Sequence, residues 1–218
     1  MSGAAREEKT AGGKPQLTQQ GSIRRMSLLD AAETVLVAKG NANASLRTIA
    51  DAAGVRIGHL QHYFPTRADL IKAVLERALD RSLERLADAT GLRVSPDDPA
   101  DIQSPQGRAD TADVVAVVLA EQDDPQMVRL YVEVWALAAR DDEIAQVVRE
   151  FYRKYVTHVA ALVHLNRPEW PADLCRARAE TFVALVEGAA LLRSGIAGTR
   201  SAAVDAELAR QAERLLGE

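Results

Sequence analysis

Between positions 45 and 67 the chain gathers side chains suited to nucleic acid: Ser45, Arg47, Thr48, Arg56, His59, Gln61, His62, Tyr63 and Arg67, with Gly58 among them. Their chemistry is recognition by hydrogen bonding. Arg56 can bond a guanine edge through two N–H groups, which discriminates by about 1–3 kcal/mol, or it can bond a phosphate. Gln61 offers the matching pair of bonds to adenine, or one to phosphate, and the imidazole of His59 can donate or accept against a base. His62 and Tyr63 are placed for the phosphate wall. Ser45 and Thr48 stand where a helix begins, and free N–H groups there attract phosphate. Arg47 and Arg67 add charge on either side. Gly58 has no side chain, so backbone can approach a duplex closely.

The surrounding residues supply the elements that would hold these groups. Ser45 is a good N-cap, and Leu46, Ile49, Ala50 and Ala53 give the helix that follows one apolar face. Gly54 can take the positive φ of a tight turn. Leu60 and Phe64 point the next short helix back into a core, leaving Arg56, His59, Gln61 and His62 on other faces. The spacing predicts helices over 22–38, 46–53 and 57–64, then a long helix over 67–89 capped by Thr66. That order is a helix-turn-helix.

Ile49-Ala50, Ala53-Gly54-Val55, Tyr63-Phe64-Pro65 and Arg67 with Leu70 resemble the TetR family of bacterial transcriptional regulators. Leu28-Leu29-Asp30-Ala31-Ala32, with Lys39-Gly40 beyond, resembles that family's first helix. His62-Tyr63-Phe64 looks like the branch containing the betaine-pathway repressors. Leu36 and Asn41 stand where the family favours aromatics, and Gln61 and Arg67 replace a frequent tyrosine and lysine. The resemblance implies an all-α chain: a three-helix helix-turn-helix domain followed by a helical ligand-binding and dimerisation domain. It implies a homodimer that binds a pseudo-palindromic double-stranded DNA operator as a repressor and is released by a small-molecule effector. Half-sites one helical turn apart would lie about 34–36 Å from each other.

Composition agrees. The 218 residues are 47% apolar but only 4% aromatic, which favours closely packed helices, and no long run alternates with period two, so essentially no sheet is expected. The formal charge of −4 divides unevenly. Positions 1–75 hold ten Lys/Arg against six Asp/Glu, and the remainder is acidic, which turns one end toward phosphate. Positions 1–21 are polar and read as a disordered arm, 22–68 as the DNA-binding domain and 69–218 as the larger one. With Cys175 alone, no disulfide can form within the chain. No stretch is long and apolar enough for a membrane span or a signal core, so a cytoplasmic protein is expected. His59 and His62 lack a third ligand at useful spacing, and phosphate-binding and hydrolase motifs are missing, so neither metal, cofactor nor enzymatic activity is expected.

In the larger domain a loop is expected over 91–107, and helices over 111–121, 125–139, 142–165, 172–195 and 202–216. Asp124-Pro125 and Asp141 or Asp142 mark two starts. Candidate lining for an effector pocket is Tyr131, Val134, Trp135, Phe151, Tyr155, His158, Phe182 and Val186. The segment 182–196 is apolar on several faces, so a partner subunit is expected to cover one of them. Leu185, Glu187, Ala189, Leu192 and Arg193, with Leu208 and Leu215 of the last helix, are the candidate interface. Glu187, a carboxylate in an oily helix, is expected to pair with Arg193 or another arginine there, in preference to a cationic ligand. Two rival readings are a constitutive or architectural DNA-binding protein without a ligand, and a helical carrier or enzyme.

Overall fold

The computed structural model describes residues 18–95, 98, 101–104 and 107–217. Among these are nine α-helices: α1 (Gln19–Lys39), α2 (Leu46–Ala52), α3 (Ile57–Tyr63), α4 (Arg67–Thr90), α5 (Thr111–Glu121), α6 (Pro125–Ala138), α7 (Asp142–Asn166), α8 (Ala172–Arg193) and α9 (Ala202–Gly217). Most starts are set by local side-chain caps. Ser45 accepts from the Thr48 N–H, and Thr66 and Asp69 form a reciprocal capping box. Asp110, Asp124 and Asp141 each accept from two amides of the first turn. Gly54 closes the α2–α3 turn at φ +66°, a conformation that costs other residues strain.

Two expectations are corrected. α1 starts at Gln19, capped by Thr18, so residues 18–21 belong to it. The rest of the expected arm, 1–17, lies outside the described residues. The expected loop contains a short antiparallel ribbon, β1 (Arg93–Val94) and β2 (Ile102–Gln103), with Val94 opposite Ile102. Both pack on the core beside buried Leu92. Two residues per strand are too few to show alternation in sequence.

Two cores hold the molecule. The first joins α1–α3 to α4, the inner face of α6 (Leu130, Val134, Leu137) and the first half of α7 (Ile144, Phe151) without a break. The second gathers the ribbon, α5, the second half of α7, α8 and α9 around Val163, Phe182 and Leu216. Buried Asn166 joins loop to C-terminal helix: its Oδ1 accepts from the Ala109 N–H at 3.0 Å and its Nδ2 donates to the Leu216 carbonyl. No helix of the described residues is long and apolar enough to cross a membrane.

Candidate nucleic-acid interface and adjoining cavity

α3 has seven residues, and its two faces differ sharply. Leu60 and, just beyond, Phe64 are buried in the first core. Arg56, Gly58, Gln61 and His62 are exposed, and His59 and Tyr63 half-buried. Arg56 is the N-cap of α3 but spends no side-chain hydrogen bond there. The Tyr63 ring meets the His59 and His62 imidazoles edge-on at 5.5 and 5.3 Å, which fixes all three on one ridge. An added Cβ at Gly58 would meet nothing of the protein within 4 Å. The outward face thus carries donors and acceptors on an element anchored from beneath.

Three flanking groups differ from expectation. The Thr48 N–H is taken by Ser45 Oγ at 3.1 Å, and the two hydroxyls bond each other at 2.9 Å. The Thr48 amide is therefore not the free donor that the sequence suggested. Arg67 is half-buried; burial lowers its pKa, opposed by the nearby Asp141 carboxylate. It ties α4 toward α7 as well as adding charge. Arg25, unnoticed in the sequence, lies over the Phe64 ring at 5.3 Å, beside the end of α3. Only the tertiary fold brings that charge there.

The head is fastened to the body by buried Arg77 of α4. Its guanidinium reaches α1 at Asp30 (2.8 Å), Glu33 (2.6 Å) and the Met26 carbonyl (3.3 Å). Arg81 shares Glu33. α6 presses on the other side, where the Glu133 carboxylate stands 3.5 Å from the place a Cβ would take at Gly40.

The opposite face of α6 borders a cavity of about 50 Å³ closed by α4, α5, α7 and α8. Of the expected lining, Tyr131, Trp135, Phe151, Tyr155 and Val186 are there. Val134 is not; it faces the first core. His158 and Phe182 line a second, more aliphatic cavity of similar size. Leu79, Ser82, Val118 and Tyr155 border both. Sequence reasoning missed Tyr152. Its oxygen accepts from Trp135 Nε1 at 3.0 Å, and its O–H donates to Glu187 Oε1 at 2.9 Å. Burial, then the Glu187 charge, raises the Tyr152 pKa, so the phenol keeps its proton. Burial pushes Glu187 up from 4.5 to about 7, partly opposed by the Tyr152 bond.

Glu187 therefore faces the cavity, and the expected pairing with Arg193 is corrected. Arg193 is buried among Asp123 (2.8 Å), Asp205 and the Leu119 carbonyl, with Arg200 bridging the same two aspartates. Ala189 is also buried. These three candidate interface residues point inward. Leu185, Leu208 and Leu215 are half-buried on the second core, and Leu192 is exposed. The outer face of α8 is instead Leu174, Ala177, Thr181, Ala184, Gly188 and Leu191, all exposed. Cys175 is buried with its thiol pKa raised, so it is an inert core group.

The family model for bacterial regulatory proteins of the tetR family matches residues 28–74, and that for the C-terminal part of BetI-type transcriptional repressors matches 107–217. The HTH-type transcriptional regulator BetI of Agrobacterium fabrum is 30% identical over 183 residues, covering 83% of this chain and 82% of the relative. The chain belongs to the TetR family. The BetI regulator of Cronobacter sakazakii is 27% identical over 81% of both chains. Among solved structures, Salmonella enterica GusR superposes with a TM-score of 0.67 over 92% of this chain and 98% of its own, at 22% identity, which bears on the fold. This TetR-family protein is thus a helix-turn-helix DNA-binding transcriptional regulator of the repressor kind, and not an enzyme. TetR regulators bind DNA operators, typically as dimers with small-molecule effectors.

Proposed function

We propose that this chain is a cytoplasmic homodimeric repressor that reads a pseudo-palindromic operator and leaves it when a small molecule enters the cavity behind α6. The observation that carries the reading is the two-faced α3, with Leu60 held in the core while Arg56, Gln61 and His62 face outward and His59 stands half-exposed beside them. In this account Arg56, His59 and Gln61 meet base edges. Arg47, His62, Tyr63 and Arg25 meet phosphates, and Gly58 lets the backbone approach.

A single head offers little area, so specificity needs two. The outer α8 stripe, beside Val204 and Leu208 of α9, supports a two-fold helical interface. Effector control is supported by α6, one face of which lines the cavity while the other packs on α1 and Gly40. A ligand acts only through unequal affinity for the two states. A cavity of about 50 Å³ must open to admit one, and in this account the opened state is the one that leaves the operator.

Footprinting the purified protein on the DNA upstream of its own gene tests the reading. A protected inverted repeat, with His59→Ala relaxing one operator position and Arg47→Ala weakening all sequences evenly, is expected. Equal behaviour of the two variants would overturn the division between bases and phosphates.

A further inference from the structure

Reading DNA makes no use of the carboxylate in the middle of α8. Glu187 is half-buried on the wall of an aromatic cavity, and its one hydrogen bond among the described residues comes from Tyr152. No lysine or arginine forms an ion pair with it among those residues. The cations nearby are engaged: Arg85 holds Glu121 at 2.9 Å, and Arg193 is enclosed by Asp123 and Asp205. A desolvated carboxylate without a counter-charge is costly, and a cation brought to it relieves that cost. The rings of Tyr131, Trp135 and Tyr155 border the same space, and aromatic faces attract cations. The Trp135–Tyr152–Glu187 chain holds the carboxylate in place, since each donor has one acceptor.

The second cavity has the opposite character. Leu83, Leu86, Leu92, Val114 and Val117 line it, and Tyr155 and Leu79 stand at its boundary with the first. It offers hydrocarbon contact and almost nothing to bond a polar group. Its His158 is already engaged, with one ring nitrogen 2.8 Å from the Lys154 carbonyl and the other 3.0 Å from that of Ser95.

We propose that the two cavities together take a lipophilic monocation: an amine whose charged head pairs with Glu187 and whose hydrocarbon tail passes Tyr155 into the aliphatic cavity. This rests on the effector reading above and names the chemical class of that effector. Burial that holds the Glu187 pKa near 7 agrees, because the group stays ready to ionise when a cation arrives. A compact cation would fill only the first cavity, and a neutral lipophile would leave the carboxylate uncompensated. Each methylene added to the tail should tighten binding about fourfold until the aliphatic cavity is full.

The test is calorimetry on the full-length dimer with n-hexylamine, n-octylamine and n-decylamine, against tetramethylammonium, 1-octanol and octanoate. Operator affinity is measured with and without each. Affinity climbing along the amine series, at least tenfold weaker binding of the three controls and release of operator by the amines are expected. Glu187→Gln should erase the preference for n-octylamine over 1-octanol, and Val117→Phe should flatten the dependence on tail length. The wild-type amine–alcohol comparison stands even where a variant folds poorly. Equal binding of n-octylamine and 1-octanol, tetramethylammonium as tight as n-octylamine, or no amine binding at all would each overturn the proposal. Operator binding that persists without any response to amines strikes this inference alone. Loss of operator binding in the untreated protein strikes the regulator reading itself.

Discussion

Gly58 is the second residue of the recognition helix, with open space where a side chain would go. Alanine there should raise stability by about 0.5–1 kcal/mol, because glycine is the poorer helix former. If the backbone approaches the duplex closely, the same change should weaken operator binding at least tenfold. Thermal unfolding and DNA titration of Gly58→Ala, moving in opposite directions, separate a functional glycine from a structural one. Glu187 makes a second residue-scale prediction. Its folded pKa, about 7, exceeds the ordinary 4.5, so the folded state binds the proton more tightly. The resulting stability is fully present below about pH 4.5 and is lost as pH rises through about 7. Between pH 5 and 8 the melting temperature of the wild type should therefore fall relative to that of Glu187→Gln. A constant difference would contradict the burial. At this scale the outward-facing residues of α3 were legible because a short helix exposes them by simple periodicity. The direction of Glu187 and Arg193 was not, because which arginine meets which acid depends on how α5, α8 and α9 converge.

Among the elements, α1 and α4 meet through Arg77, which is only 6% exposed and bonded to three groups of α1. Arg77→Ala should cost about 1–3 kcal/mol, less than a fully buried pair because Asp30 faces water and Arg81 still neutralises Glu33. It should also weaken operator binding beyond the stability loss, since α1 would no longer hold the head at a fixed angle to the body. Chemical denaturation and DNA titration of this variant check both. Helix starts at Ser45, Thr66, Asp124 and Asp141 were readable because a cap is a matter of three neighbouring residues. The β1–β2 ribbon was not, since its register is set by where Val94 and Ile102 reach the second core. Val134 shows the same limit: its spacing fits a cavity wall, yet the neighbouring face of α6 turned it toward α1.

For the molecule as a whole, in the reading proposed above, the basic head and acidic body orient the protein on DNA, and α8 has the role of joining two heads. Gly188 lies on the outer α8 stripe, and a Cβ added there touches nothing of its own chain. Gly188→Arg should leave a folded protein by circular dichroism, yet shift it to monomer in sedimentation and reduce operator affinity by at least a hundredfold. Retention of the dimer would move the interface elsewhere. The size of the chain, its helical class and its DNA-reading end could be read from sequence. The pairing surface could be read only in part, because an apolar helix face looks alike whether it covers a core or a partner. The most direct measurement is selection of bound sequences from random DNA duplexes by the full-length protein at physiological salt. An enriched inverted repeat with half-site centres about one helical turn apart, lost in Arg56→Ala, is the predicted result. Enrichment of a lone half-site, or of no sequence at all, would contradict a dimer that reads DNA through α3.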